Sequence, residues 1–206
     1  MRIFCTVLLA LFTIMLTCCA SGYKLIEPKS INFISSSEVD SIKLEYKYDL
    51  LDKKYEKKEI KKGVKLVAIK VTNNSENDIV FGRDVKLTYA NGSEIYVMEN
   101  EKVFKILKQS PATYLFYLLL TPVNFYTHET NAYGVTETTS STPIGLVLGP
   151  ALAGGNMIAA GSANKKFQSE LFDYNIHGAT IKKGETKHGL IGILTDAFES
   201  LKLKVD

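Results

Sequence analysis

Hydrophobic and polar residues alternate along much of this 206-residue chain. In 42–48 (IKLEYKY), apolar side chains are separated by charged ones, and a period of two is typical of a strand that buries one face. The β-branched run 64–72 (VKLVAIKVT) predicts a central strand. Further strands are predicted at 79–81, 84–89, 94–98, 168–176, 188–194 and 201–205.

Turn signals separate these segments. Asn91-Gly92 lies between 84–89 and 94–98, and this pair favours the positive φ angles of a two-residue type I′ turn. The charged run 52–62 is interpreted as a solvated turn and sheet edge, where lysine discourages edge-to-edge pairing, rather than as a binding patch. Short strands without an intervening helical period predict a mainly β protein, an antiparallel β-sandwich formed by 41–108 and 165–206.

The segment 109–164 differs in composition from the rest of the chain. It contains no Lys or Arg, and its only acidic residues are Glu129 and Glu137. Its first part, 111–126, is apolar, a threonine-rich polar loop follows at 127–142, and 143–163 carries no charge. This shift predicts an apolar helical hairpin inserted into the sandwich.

Small residues recur every four positions in 143–163, and residues four apart share one face of a helix. Such rows let helix backbones approach closely in membrane proteins, and aromatic residues at both ends of 111–126 resemble interfacial belts. We therefore expect a helix-packing face in a bilayer or an oligomer; the alternative is two apolar helices packed on the sandwich. The expected face consists of Gly145, Gly149, Ala153 and Gly161 in one row and Ala151, Gly155 and Ala159 in the next.

The amino-terminal segment 1–19 has the pattern of an export signal. Arg2 precedes an apolar run that is too short for a comfortable transmembrane helix. The segment ends in LTCC, which resembles the lipobox of bacterial lipoproteins. That resemblance implies acylation of Cys19, or of Cys18, and the alternative is plain secretion with cleavage after Ala20.

Two further segments resemble a known family. The strand end VTNNS (71–75) and the run IKKGETKHGLIGI (181–193) are similar to immunoglobulin-like domains of bacterial envelope lipoproteins, many of them of unknown function. The resemblance implies an immunoglobulin-like sandwich on a membrane-anchored lipoprotein of the cell envelope, in the outer membrane if the cell is Gram-negative. The polar segment 20–40 is interpreted as a tether, with a short edge strand at 31–34. The resemblance transfers no catalytic residue.

Composition narrows the functional classes. The net charge is +3 and Arg2 and Arg83 are the only arginines, so nucleic-acid binding is not expected. Cysteines occur only at positions 5, 18 and 19, which leaves no disulfide or thiolate zinc site for the mature chain. The three histidines, His128, His177 and His188, lack metal-ligand spacing.

These observations predict a protein that is not an enzyme and needs no metal or cofactor. The expected role is a non-catalytic assembly or scaffolding component of the cell envelope. Its expected partners are the membrane, a second copy of the chain or another envelope protein. The alternative is a small-ligand or acyl-chain binding module that uses 109–164 as a lid.

Overall fold

A computed structural model describes residues 19–205, so the predicted export signal lies outside the described residues except for Cys19. The described chain contains eleven strands, three α-helices and one 3₁₀ helix. The strands are β1 Ser35–Val39, β2 Ile42–Lys47, β3 Val64–Asn73, β4 Ile79–Val80, β5 Val85–Tyr89, β6 Val97–Met98, β7 Phe125–Thr130, β8 Thr136–Thr142, β9 Thr180–Ile181, β10 Thr186–Leu194 and β11 Leu201–Val205. The helices are α1 Lys53–Lys62, α2 Asn100–Leu107, the 3₁₀ helix Pro111–Leu120 and α3 Gly145–Asp173.

The chain divides into two compact units. Among the described residues, the inserted unit consists of 19–22 and Gln109–Ser162, and the sheet unit consists of Tyr23–Lys108 and 163–205. The inserted unit lies close to the predicted bounds 109–164. Helix α3 contributes residues to both units.

A five-stranded antiparallel sheet forms the centre of the sheet unit, in the order β1-β2-β3-β10-β6. Strand β3 is the middle strand, with Ile69 opposite Tyr46 of β2 and Ala68 opposite Leu190 of β10. The predicted central strand at 64–72 is therefore confirmed. Side chains from both faces of β3 are buried, so the sheet needs a cover on each side.

The first face of the sheet packs against two short antiparallel pairs, β5 with β11 and β4 with β9. Leu44 and Ile69 of the large sheet belong to the same core as Leu87 of β5 and Leu203 of β11. The predicted strands at 84–89 and 201–205 are thus confirmed as well. Strands make up 33% and helices 30% of the chain, so the predicted mainly β class is confirmed only in a coarser form, a mixed and sheet-rich fold.

Helices cover the opposite face, where the sequence predicted none. Tyr55 of α1, Val103 of α2 and Phe167 of α3 share one buried cluster with the β3 side chain of Leu66. The interpretation of 52–62 as a turn and edge is wrong. Tyr55 and Glu59, one helical turn apart, are the buried positions of α1, so its abundant lysines lie on the remaining faces.

The predicted strand at 168–176 is also wrong, because most of that segment is the last part of helix α3. Phe167, Glu170 and Leu171 are buried while the residues between them are exposed. A spacing of three and four residues places these side chains on one face of a helix. The hydrophobic pattern of this segment therefore has the helical period.

The prediction of a free tether at 20–40 is wrong for much of its length. The Tyr23 hydroxyl donates a hydrogen bond of 2.6 Å to Glu170, and the Ile26 and Glu27 amides donate to the same carboxylate at 2.9 and 2.6 Å. Burial, together with the Glu170 carboxylate, raises the pKa of Tyr23. The edge strand lies at Ser35–Val39 instead of 31–34. This segment is therefore part of the fold.

The Asn91-Gly92 turn is a three-residue loop. Tyr89 N–H donates to the Ser93 carbonyl oxygen, and Gly92 N–H donates to that of Tyr89, both at 2.9 Å. Only Gly92, with φ +87°, has a positive φ within this loop, which fits a type I turn followed by a left-handed glycine. The predicted type I′ turn is therefore wrong. After a single bridge from Thr88 to Glu94, the chain moves to pair as β6 with β10.

Candidate functional site

The 3₁₀ helix of the inserted unit begins with Pro111. Proline is suited to this position because the first amides of a helix have no helical partner. A 3₁₀ helix has three residues per turn, so residues three apart share a side. Tyr114 and Tyr117 accordingly point to the same buried side, and their ring planes are nearly parallel, with centroids 6.5 Å apart.

Small residues let helix α3 pack directly on the end of this 3₁₀ helix. A Cβ atom at Gly145 would lie 2.0 Å from the carbonyl oxygen of Leu120, and one at Gly149 would lie 3.2 Å from that of Tyr117. Ala153, the next residue of the row, is buried. Gly145 and Gly149 therefore pack against the backbone of the inserted unit, and Ala153 belongs to its buried core.

The other members of the predicted packing face are exposed. A Cβ atom at Gly155 or Gly161 would meet no heavy atom within 4 Å, and Ala151 and Ala159 are exposed on the same helix. The structure brings three of the seven predicted residues into one packed row and leaves four on open faces of the helix. Packing of this helix in a bilayer or an oligomer stays a prediction.

The core of the inserted unit is small for the length of chain that it organises. Tyr114, Tyr117, Ala153 and Ala160 are its buried apolar members. Two of these are alanines, so little apolar area is buried and the hydrophobic contribution to folding is correspondingly small.

The residues that follow Cys19 are attached to the inserted unit. Ala20 N–H donates a hydrogen bond of 2.5 Å to Asn156 Oδ1, and Gln109 Nε2 donates one of 2.7 Å to the Ser21 carbonyl oxygen. Cys19 itself is exposed. An acyl group on Cys19 would therefore leave the chain beside anchored residues.

Fourteen large apolar side chains of the inserted unit are exposed. The most exposed include Phe116 at 72%, Leu119 at 73% and Ile158 at 75%. The full set is Leu115, Phe116, Leu118, Leu119, Val123, Phe125, Tyr126, Tyr133, Val135, Leu146, Val147, Leu148, Leu152 and Ile158, here called the apolar surface set. Monomeric soluble proteins rarely expose large contiguous apolar patches, and such patches mark sites of protein or membrane interaction.

Strands β7 and β8 form a hairpin in place of the loop predicted at 127–142. Every residue of both strands is exposed. The threonines that made the segment look like a polar loop are β-branched and favour extended backbone. A two-stranded hairpin alone is marginally stable in water. In the described chain, β7 and β8 pair only with each other, so a partner could cover their outer edges.

Helix α3 is long and apolar enough to cross a membrane, judged by length and composition only. Core helices of soluble proteins pass the same test when they are mostly buried, but only 22% of the apolar window of α3 is buried. The exposed part of this window includes Leu146, Val147 and Ile158. The helix therefore contributes exposed apolar side chains to the apolar surface set, as the 3₁₀ helix does.

His128 and His188 lie on different strands of the described chain. His128 lies on the exposed hairpin beside Thr138, with Nδ1 3.2 Å from its hydroxyl oxygen. His188 lies on β10, where burial and the nearby Lys70 lower its pKa. Among residues 19–205, no group of three His, Cys, Asp or Glu side chains is arranged to hold a metal ion.

No family model matches this chain, and neither a curated protein nor a solved structure resembles it significantly. Functional inference therefore depends on the chemistry of its own surfaces. The apolar surface set is the feature that the sheet-rich fold does not account for.

Proposed function

We propose that this protein is a non-catalytic lipoprotein of the bacterial cell envelope, with an assembly or scaffolding role. The inserted unit attaches it to a membrane surface or to a second copy of the chain. The apolar surface set carries this proposal. It occurs on the same unit that binds the residues directly after Cys19.

Energetics support attachment through this surface. Full burial of one large apolar side chain contributes about 1.5–3 kcal/mol. Partial burial of a few members, such as Phe116, Leu119 and Val147, would therefore add several kcal/mol to attachment, independently of any acyl group.

The hairpin favours attachment at the surface of a membrane over a full crossing. Backbone groups in the hydrocarbon core must find partners within the protein, and the outer edges of β7 and β8 are unpaired in the described chain. The hairpin also carries Glu129 and Glu137. A location in the headgroup region satisfies such groups with water.

The immunoglobulin-like form of the sheet unit is part of the same proposal. Antiparallel strands in two packed layers support it, with one core between the five-stranded sheet and the β5–β11 and β4–β9 pairs. The helices on the opposite face are a departure from the usual two-layer form. An experimental structure with a different strand connection order would remove this part of the proposal.

The test compares cell fractions of variants that lack both candidate acylation sites, Cys18→Ala and Cys19→Ala. We expect the double variant to remain in part with membranes or in oligomers through the apolar surface set. Adding Leu119→Gln, Val147→Gln and Ile158→Gln should release the protein as a soluble monomer. The experiment measures sedimentation with membranes and the mass of the soluble species by light scattering.

A matched control changes three exposed apolar residues of the sheet unit instead, Ile34→Gln, Ile60→Gln and Phe198→Gln, in the same double-alanine chain. We expect no release from this control. Equal release by both sets of substitutions, or a parent chain that is already soluble and monomeric, would contradict the proposed attachment. If the protein binds lipid vesicles while its soluble species keeps the mass of a monomer, the partner is a membrane. A larger mass of the soluble species indicates a second copy of the chain.

A further inference from the structure

A cavity of about 520 Å³ lies between helices α1 and α2 of the sheet unit. Four lysines line it, with Lys58 and Lys62 from α1 and Lys102 and Lys105 from α2. Both helices pack on the same face of the five-stranded sheet, and this shared support places lysines from distant parts of the sequence around one opening. The site does not depend on the role proposed for the inserted unit.

The positive charges of this cavity are poorly balanced. In the described part of the chain, one carboxylate forms an ion pair with a lysine of the set, Glu101 with Lys105 at 2.8 Å. The ammonium group of Lys58 donates instead to the Lys108 carbonyl oxygen. Partial burial lowers the pKa of Lys58, and its neighbours Lys62, Lys108 and Lys61 lower it further. Like charges held together disfavour the folded state unless an anion joins them.

The remaining lining residues are apolar or aromatic. They are Val64, Tyr96, Met98, Ile106 and Leu194. Tyr96 and Leu194 are exposed at 74% and 68%, so apolar area stays open to solvent beside the ammonium groups. A cavity volume of 520 Å³ lies in the range of about 300–1,000 Å³ that is typical of small-molecule sites.

We propose that this cavity binds an anionic amphiphile, a single molecule with an apolar chain and an anionic head. The apolar chain would cover Leu194 and Tyr96, and the head would accept hydrogen bonds from lysines of both helices. Lysine binds phosphate and carboxylate groups as a point charge, without the fixed fork of arginine. A compact head of either kind therefore fits, whereas a purely apolar ligand would leave the charge unbalanced.

The test measures how fast lysines of the full chain, held in phosphatidylcholine vesicles, are acetylated. The probe is octyl phosphate, compared with inorganic phosphate, which has no chain, and octyl phosphocholine, which has no net charge. We expect octyl phosphate to slow acetylation of the four cavity lysines by about fivefold or more, since charge-assisted hydrogen bonds shield the amines. Lys182 and Lys202, exposed on the same unit, should react unchanged.

Variants identify the two halves of the site. Lys62→Gln with Lys102→Gln should weaken protection of Lys58 and Lys105 by about tenfold, because two of the charged donors are lost. Leu194→Gln should weaken it severalfold with little effect on folding, since this side chain is exposed. The matched control Lys182→Gln with Lys202→Gln removes the same charge elsewhere and should bind as the parent does.

Three outcomes would overturn the proposal. Equal protection by inorganic phosphate, with no effect of Leu194→Gln, would show a plain anion site without an apolar half. Equal weakening by the control pair would show a general effect of net charge. Protection by vesicles that contain phosphatidylglycerol, without protection by octyl phosphate, would show binding to a charged membrane surface instead of a single molecule.

Discussion

In the sheet unit, large apolar side chains fill both faces of a five-stranded sheet, whereas fourteen of them are exposed in the inserted unit. The two units also differ in their content of charged residues. Residues 109–164 hold only Glu129 and Glu137 as charged side chains, and all the others belong to the rest of the chain. One unit therefore has a core and a surface suited to water, and the other has a minimal core and a surface suited to an apolar neighbour.

This difference shows how hydrophobicity can serve two purposes in one chain. Apolar area buried on folding stabilises the monomer, and area left exposed is available to stabilise a contact with something else. The sheet unit has used most of its apolar area in folding. The inserted unit leaves fourteen large apolar side chains exposed, and these would be available for the attachment that we propose.

The largest expected effect on stability comes from comparing a buried phenylalanine of the sheet unit with an exposed one of the inserted unit. Phe167 is fully buried and its ring lies 5.2 Å, between centroids, from those of Tyr23 and Tyr55. Phe167→Ala should lower the free energy of unfolding by about 3–5 kcal/mol. Phe116→Ala, at an exposed position, should change it by less than about 0.5 kcal/mol. Urea unfolding of the Cys18→Ala, Cys19→Ala chain gives both values, and equal losses would end the contrast between the units.

The next effect concerns pH. Burial raises the pKa of Glu59 to about 7, although the Leu66 amide donates a 2.6 Å hydrogen bond to it. The folded chain then binds this proton more tightly than the unfolded chain, whose pKa is near 4.5. The resulting stability is fully present below pH 4.5 and is lost as pH rises to about 7, an effect of roughly 3 kcal/mol at most.

Denaturant unfolding between those pH values tests this assignment. Glu59→Gln keeps an oxygen acceptor for Leu66 and should remove that fall in stability from the profile. Glu137→Gln, which removes an exposed carboxylate of the inserted unit, should leave the profile as it is. A fall of the same size in the Glu59→Gln chain would assign the pH dependence to another group.

The smallest expected effect lies within the inserted unit. Gly145→Ala places a methyl group against the Leu120 carbonyl oxygen, and the forced shift should cost about 1–3 kcal/mol. Gly161→Ala meets no neighbour within 4 Å and should stabilise the helix by about 0.5–1 kcal/mol. Hydrogen exchange of the α3 amides measures both changes, and protection that changes in the same direction would argue against the packed row.

The alternating strands could be predicted from the sequence because each buries one face between clear turns. Residues 42–47 and 201–205 are examples. Helix α1 was missed because only Tyr55 and Glu59 of its ten residues are buried, so charge concealed the helical period. The helical period of the last part of α3 is hidden in 168–176, because Ala163 and Phe167, which belong to the same buried face, lie before that segment.

The candidate sites also differ in how far the sequence predicts them. Composition alone indicates the segment 109–164, which lacks Lys and Arg, and spacing indicates the row that begins at Gly145. The partner of that row was expected to be helical, but its 3₁₀ form could not be predicted, because only Tyr114 and Tyr117 of its ten residues are buried and most of the others are apolar as well. The lysine cavity could not be predicted because Lys62 and Lys102 meet only after two helices dock on one sheet face.

The Glu170 carboxylate has a mechanical consequence for a chain held by its amino-terminal end. Tension applied there reaches Tyr23, Ile26 and Glu27 before it reaches strand β1. Their hydrogen bonds share one carboxylate and resist the pull together, whereas the paired residues of β1 would peel from β2 one after another. In a chain held in this way, Glu170 would therefore bear the load before the hydrogen bonds between β1 and β2 at the edge of the sheet.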